Sequence, residues 1–97
     1  MVVLLECNRR AEEVTIANIG GAPVSLADHT LRDEGLHHEV DLGGFGSLAA
    51  GQTLVITSGP TASNDDPGFW TSDHVWNNDG DAATIVTPDG RSMTVRC

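Results

Sequence analysis

The chain of 97 residues contains no lysine and no tyrosine, and five arginines stand against fourteen aspartates and glutamates. The absence of lysine excludes a phosphate-loop lysine and Schiff-base chemistry. The formal charge of -9 produces a surface that repels phosphate backbones and anionic lipid headgroups. Nucleic acid is therefore not expected as a partner, and a membrane surface is not expected either.

Long apolar runs are also missing. No stretch approaches the roughly 20 residues that span a bilayer, so membrane insertion is not expected. The first residues, "MVVLLEC", lack the basic segment and the apolar core of a signal peptide. The sequence leaves the localisation unknown: a domain of a longer precursor would be extracellular or at the cell surface, and otherwise the protein would be cytoplasmic.

Aromatic residues are few, with two Phe and two Trp, and most apolar residues are Val, Leu, Ile and Ala in short runs. This composition favours a thin β core. Alternating segments separated by Gly, Pro, Asn and Asp predict seven or eight short strands in a two-sheet sandwich. The predicted strands lie at about 2–8, 13–19, 29–33, 37–42, 52–58, 82–87 and 91–96, with a short apolar piece at 24–26. Residues 58–73 are predicted to form a long irregular loop.

Three motifs carry a resemblance to a known family. They are "V-x-I-x-N-x-G" at 14–20, "L-x-x-G-Q-x-L-x-I" at 48–56 and "WNNDGD" at 76–81. Together they resemble the lamin tail domain, in a prokaryotic-type form, over nearly the whole chain. The resemblance implies an all-β, immunoglobulin-like β-sandwich of about seven to nine short strands, forming a single domain over 1–97.

The resemblance also implies a function, because no catalytic residues are known in this family. In lamins such domains contact chromatin and other proteins, and prokaryotic examples often accompany hydrolases, nucleases or surface proteins. The expected function is a non-catalytic interaction or accessory module that needs no cofactor and binds another protein, a neighbouring domain or a cell-surface ligand, as a monomer or weak oligomer. The alternatives are a small calcium- or zinc-dependent hydrolase or binder, and a purely structural spacer.

The "WNNDGD" loop is predicted to be structural. Trp76 is expected to plug one end of the sandwich, and Gly80 to supply a positive φ. The side chains expected to bond their own backbone turn are those of Asn77, Asn78 and Asp79, with Asp81 beside them. On this interpretation Asp79→Asn and Asp81→Asn should each change stability little.

Metal binding is the alternative for this region. An EF-hand aligned on Gly80 would need ligands at Val75 and Val86, which have no side-chain oxygen, so it is excluded. A looser cation site would combine oxygens from Asp79, Asp81 and an acid of a neighbouring loop, such as Asp33 or Glu34. The four histidines, His29, His37, His38 and His74, are predicted not to chelate a metal. In particular, His37 and His38 are adjacent in a predicted strand and should point to opposite faces.

The candidate ligand-binding residues lie in the long loop 58–73. Phe69 and Trp70 follow the polar segment that contains Asp65 and Asp66. Aromatic side chains on a loop can stack on sugars or fill a pocket of a partner. The alternative is that both rings tuck under the loop and close one edge of the sandwich.

Two cysteines, Cys7 and Cys97, lie in the first strand and at the last position. The first and last strands of such sandwiches often lie side by side, so a disulfide between them is feasible. Two isolated cysteines in a chain without a visible signal peptide are equally expected to be free thiols. The sequence leaves both states open.

Overall fold

The computed structural model describes all residues from 1 to 97 and contains ten short strands. They are β1 (Val2–Asn8), β2 (Glu13–Asn18), β3 (Val24–Ser25), β4 (Thr30–Arg32), β5 (Glu39–Asp41), β6 (Ser47–Leu48), β7 (Thr53–Ser58), β8 (Phe69–Thr71), β9 (Ala82–Val86) and β10 (Ser92–Arg96). One 3-10 helix, Leu42–Phe45, precedes β6. The structure has no helix with the length and apolar character that a membrane crossing requires.

The strands form two four-stranded sheets in the orders β1-β2-β7-β8 and β10-β9-β4-β5, with β3 and β6 pairing separately. The β7–β8 pair is parallel, and the other pairs are antiparallel. The prediction of an all-β sandwich is confirmed. The strand count is ten rather than seven to nine, because two short strands were not predicted.

The two unpredicted strands, β6 and β8, have two and three residues, which is too short for an alternating pattern to appear. β8 lies inside the segment predicted to be irregular, and Gly68 allows it to approach β7. A Cβ at Gly68 would lie 2.0 Å from the carbonyl oxygen of Val55, so no larger residue fits. Residues 58–73 are therefore not one loop, because β8 extends the first sheet.

The core lies between the two sheets and follows the alternation of the strands. Val14 and Ile16 of β2 are fully buried, as are Leu31 of β4 and Ala83 of β9. Burying a side chain of the size of Val or Leu stabilises the fold by about 1.5–3 kcal/mol. This inward row fixes the register of β2, because a one-residue shift would expose it to water.

Asn18 explains why the first motif carries an asparagine. Its side chain is fully buried, and its amide nitrogen donates to the carbonyl oxygens of Ala22, Leu48 and Ala49 at 2.8, 3.2 and 3.3 Å. Its side-chain oxygen accepts the N–H of Gly20 at 3.0 Å. One amide thus fastens the turn after β2 to the turn before β7.

A disulfide closes one flank of the sandwich. It joins Cys7 of β1 to Cys97, whose Cα atoms are 4.5 Å apart. β1 and β10 are the edge strands of different sheets. The register of β1 also shifts between Leu4 and Glu6, leaving Leu5 53% exposed. Such a bulge discourages an edge strand from pairing with another chain.

Candidate functional site

The three buried carboxylates, those of Glu12, Asp33 and Asp81, and three of the four histidines lie in turns and loops at one end of the sandwich. The turn 9–12, the β4–β5 loop 33–38 and the loop 72–81 form this end, which we call the cleft end. Residues from the second and third of these segments line a cleft of about 350 Å³, in which Val75 is the single hydrophobic residue. The cleft is therefore polar, and the positions of its carboxylates decide what it can do.

Asp81 connects two of the loops. It is 5% exposed, and its Oδ1 accepts the N–H groups of Glu34 and Ala82, each at 2.9 Å. Its Oδ2 accepts the N–H of Asn77 at 3.0 Å. Burial acts to raise the pKa of Asp81, but these three N–H donors and the charge of Arg96 outweigh it and hold the pKa below its ordinary value of 3.8.

Asp33 holds the β4–β5 loop together through contacts with His38 at the other end of the loop. This aspartate is 5% exposed; its Oδ1 accepts the N–H of His38 at 3.1 Å, and its Oδ2 lies 3.3 Å from Nδ1 of the same histidine. The N–H of Asp33 donates to the carbonyl oxygen of His38 at 3.2 Å. These contacts across the base of the loop give it a defined shape.

The prediction that His37 and His38 lie in a strand and point to opposite faces is wrong. β5 begins at Glu39, so His37 and His38 lie in the loop rather than in a strand, and both line the cleft. The ring of His37 packs against Gly35, where an added Cβ would lie 2.7 Å from its Cδ2. The strand geometry that would direct the two rings to opposite faces is absent.

Glu12 is the functional-looking residue that sequence reasoning missed. It is 4% exposed, and its Oε1 accepts the N–H of Val75 at 2.7 Å and the hydroxyl of Ser58 at 3.1 Å. Its Oε2 accepts the N–H of Trp76 at 3.0 Å. No periodic signal marks it, because Glu12 lies in the turn before β2 and has a φ of 56°, outside the alternation of the strand.

Trp76 is 2% exposed and belongs to the core, at the end where the sequence places a plug. Its ring meets that of Trp70 edge to face, with centroids 6.1 Å apart, and Trp70 also meets the ring of His38 at 6.5 Å. Edge-to-face pairs of this kind add about 0.5–1.5 kcal/mol to the burial of the rings. Trp70 therefore packs on the core from β8, half-buried, and not from a loose loop.

The four candidate ligand-binding residues differ in their exposure and in their contacts. Phe69 and Trp70 are half-buried in β8, and Asp65 is exposed. The Oδ2 of Asp66 accepts the hydroxyl of Thr57 at 3.1 Å and the N–H of Ser63 at 3.0 Å. Asp66 thus stabilises its own turn, whereas Trp70 packs against Trp76 and His38.

The "NNDGD" turn is held by its own backbone. The side-chain oxygen of Asn77 accepts the N–H of Asp79 at 2.9 Å, and its carbonyl oxygen accepts the N–H of Gly80 at 3.0 Å. Gly80 has φ = 129°, a region that glycine enters without steric cost. The prediction that Asn78 and Asp79 also bond this turn through their side chains is wrong, because both are exposed and, of the three, only the side chain of Asn77 makes such a bond.

The carboxylates proposed for a looser cation site are divided. Asp33, Glu34 and Asp81 line the cleft, whereas Asp79 does not. Glu34 pairs with Arg96 at 3.0 Å, and the other two cleft carboxylates bind N–H groups. The structure contains no group of three or more His, Cys, Asp or Glu side chains placed to hold a metal ion.

A sequence model of the Lamin Tail Domain matches residues 2–96, which is nearly the whole chain. The chain belongs to the Lamin Tail Domain family. No curated protein sequence matches it. The resemblance inferred from the three motifs is confirmed, and with it the assignment of an immunoglobulin-like module.

The Lamin Tail Domain motifs have structural reasons in this chain. In the "L-x-x-G-Q" segment, Gly51 has φ = 77° and Gln52 accepts the N–H of Ala49 at 2.8 Å. In the "WNNDGD" segment, Trp76 fills the core and Asp81 ties the loops together. The motifs thus mark the turns that the sandwich requires.

Replacing Asp79 and Asp81 with asparagine should have different effects on the free energy of unfolding. The sequence alone predicts that neither replacement changes stability much. Asp81→Asn turns one acceptor oxygen into an N–H donor facing a backbone N–H, and should lower the free energy of unfolding by about 2 kcal/mol. The matched control Asp79→Asn should stay within about 0.5 kcal/mol. Urea unfolding at neutral pH measures both, and equal losses would contradict the assignment.

The same pair of proteins gives a pH prediction. The pKa of Asp81 is lowered in the folded state, so its contribution is complete above the unfolded value of about 3.9 and is lost as the pH falls through the folded value. The stability difference between wild type and Asp81→Asn should therefore shrink below about pH 4. The lowered pKa of Asp89, caused first by the Thr87 hydroxyl, is common to both proteins and cancels.

Proposed function

We propose that the chain is a non-catalytic binding module that recognises a positively charged segment of another protein or of a neighbouring domain at the cleft end. The observation that carries this proposal is the use of the buried carboxylates. Glu12, Asp33 and Asp81 bind backbone N–H groups, so they shape the cleft instead of reacting in it.

Catalysis by these groups would require one of them to exchange a proton or attack a substrate. A general acid or base must be within reach of the proton that it transfers. The carboxylates of Asp81 and Glu12 each accept three N–H or O–H donors, and Glu34 pairs with Arg96. These occupied carboxylates support binding through fixed negative charge and do not support catalysis by proton transfer.

The charge of the domain favours a basic partner. Fourteen acidic residues face five arginines, and three of those arginines already have partners within the chain. Arg9 donates to the carbonyl oxygen of Cys97, and Arg91 and Arg96 pair with Asp89 and Glu34. Complementary charge accelerates association and rejects acidic competitors, more than it adds affinity.

Selection of random linear peptides displayed on phage tests the proposal. Peptides retained by the immobilised domain should be rich in Arg and Lys, and a synthetic copy of one should bind more weakly as salt rises, because the Debye length falls to about 8 Å at physiological ionic strength. Fluorescence anisotropy of the labelled peptide measures the affinity. Failure to retain basic peptides would contradict the proposal and leave the spacer function.

A matched pair of variants places the binding site. Glu34 lies in the cleft and is exposed, so Glu34→Gln should weaken peptide binding about threefold to fivefold. Asp28 is also exposed and lies at the opposite end of the sandwich, before β4, so Asp28→Asn should leave the affinity unchanged. Equal effects from the two variants would point to diffuse charge attraction without a site.

A further inference from the structure

Leu36 has a positive φ, a backbone conformation that leucine disfavours. Three residues other than glycine have a positive φ: Glu12 at 56°, Asp28 at 61° and Leu36 at 57°. Glu12 uses this conformation to reach buried N–H groups, and aspartate is among the residue types that tolerate it. Leucine is not, and no hydrogen bond from its side chain compensates.

Burial does not compensate either. The side chain of Leu36 is 63% exposed, the largest value among the exposed large hydrophobic residues of the chain. A single exposed leucine is ordinary on a protein surface. A leucine that is both exposed and held in the left-handed region is not, and such outliers cluster at binding and active sites.

The neighbouring glycine does not occupy the left-handed position. Gly35 lacks a left-handed φ, and its place is explained by His37, because a Cβ there would lie 2.7 Å from Cδ2 and 3.1 Å from Nε2 of the imidazole. The strained position thus falls on Leu36. The N–H of Leu36 donates to the carbonyl oxygen of Asp33 at 3.3 Å, which helps fix the tip of the loop.

The position of Leu36 at the cleft indicates what it contacts. Leu36 is not among the residues that line the cleft, but its chain neighbours Gly35 and His37 are, so its backbone lies at the rim. Inside are the carboxylates of Asp33, Glu34 and Asp81, opposed by the single guanidinium of Arg96. An apolar side chain on the rim of a negatively charged cleft matches a ligand that carries an apolar group next to a cation.

We propose that Leu36 is the apolar contact of a protein-binding surface at the rim of the cleft, and that its partner is a basic linear segment carrying an apolar side chain beside an arginine or lysine. This inference rests on the proposed function and names its main contact. Packing on Leu36 removes apolar surface from water, while the cation lies near the cleft carboxylates. The hydrogen-bonded loop is already ordered, so binding loses little entropy in ordering it.

Replacing Leu36 with asparagine separates a binding role from a structural one. Asparagine tolerates the left-handed region, so Leu36→Asn should keep the melting temperature or raise it by about 2–5 °C. The same variant should bind the phage-selected basic peptide about tenfold more weakly, as expected for a main contact. Thermal unfolding and fluorescence anisotropy with that peptide measure the two effects.

Ile19 supplies the matched control. Ile19 is 61% exposed and follows β2 at the opposite end of the sandwich, so Ile19→Asn should leave the affinity unchanged. Wild-type affinity in Leu36→Asn would overturn the inference and leave the proposed function standing. A lower melting temperature with weaker binding would also overturn it, in favour of a structural leucine. Absence of any peptide binding by the wild type would overturn both.

Discussion

Replacing both cysteines with serine should lower the free energy of unfolding by about 4–5 kcal/mol. The disulfide joins positions separated by 90 residues, and the chain-entropy model gives about 4.7 kcal/mol for a loop of about 100 residues. Domains of this size have a total stability of about 5–15 kcal/mol. The variant without the bridge should therefore lose between about a third and nearly all of the stability of the oxidised protein.

The surroundings of the bridge extend this effect to the cleft end. The N–H of Cys97 donates to the carbonyl oxygen of Asp81 at 3.0 Å, and the side chain of Arg9 donates to the carbonyl oxygen of Cys97 at 2.7 Å. Loss of the bridge releases the residue that anchors the end of β10 to the Asp81 loop. Amide exchange at Ala82 and Glu34, whose N–H groups bind Asp81, should accelerate in the serine variant.

Denaturant unfolding of the oxidised protein and of the Cys7→Ser/Cys97→Ser protein measures the difference. Wild type kept in a strong reductant is the control, and it should behave as the serine variant does. A serine variant as stable as the oxidised protein would contradict the prediction. So would two titratable thiols in the unfolded, unreduced wild type, because the bridge would then be absent.

The regular strands were predictable because alternation is a local property of the sequence. β2 and β9 were placed to within one residue at each end, since Val14, Ile16 and Ile85 mark the inward face. β8 was not predictable, because what creates it is the fit of Gly68 against the backbone of Val55. That contact joins residues 13 positions apart along the chain and leaves no periodic pattern in the sequence.

The roles of the carboxylates also depend on tertiary contacts that the local sequence does not show. Asp79 and Asp81 stand two positions apart in one turn, and the sequence treats them alike. Only the fold brings the N–H of Glu34 to Asp81, 47 residues away along the chain. The burial of Trp76 could be predicted from its large apolar ring. The roles of Asp81 and Asp33 could not, because they depend on backbone N–H groups that only the folded chain brings to them.

Replacing Glu12 with alanine should cost about 4 kcal/mol, almost as much as losing the disulfide. The carboxylate binds the buried N–H groups of Val75 and Trp76 at 2.7 and 3.0 Å, and each N–H left unpaired costs about 1–3 kcal/mol. Ser58 is less affected, since its hydroxyl also lies 3.2 Å from the carbonyl oxygen of Glu12. The penalty therefore falls on the segment that carries Trp76.

Glu13→Ala is the matched control, because Glu13 is exposed beside Glu12 and its loss should stay within about 0.5 kcal/mol. Glu12→Gln should lie between the two variants, since it preserves shape but places an N–H donor against a backbone donor. Urea unfolding gives the free energies, and hydrogen exchange at Val75 and Trp76 locates the change. Exchange at these two amides that stays protected in Glu12→Ala would show that another acceptor replaces the carboxylate. If protection is lost, the strained φ of 56° at Glu12 is explained, because it directs the carboxylate at the loop that closes the core.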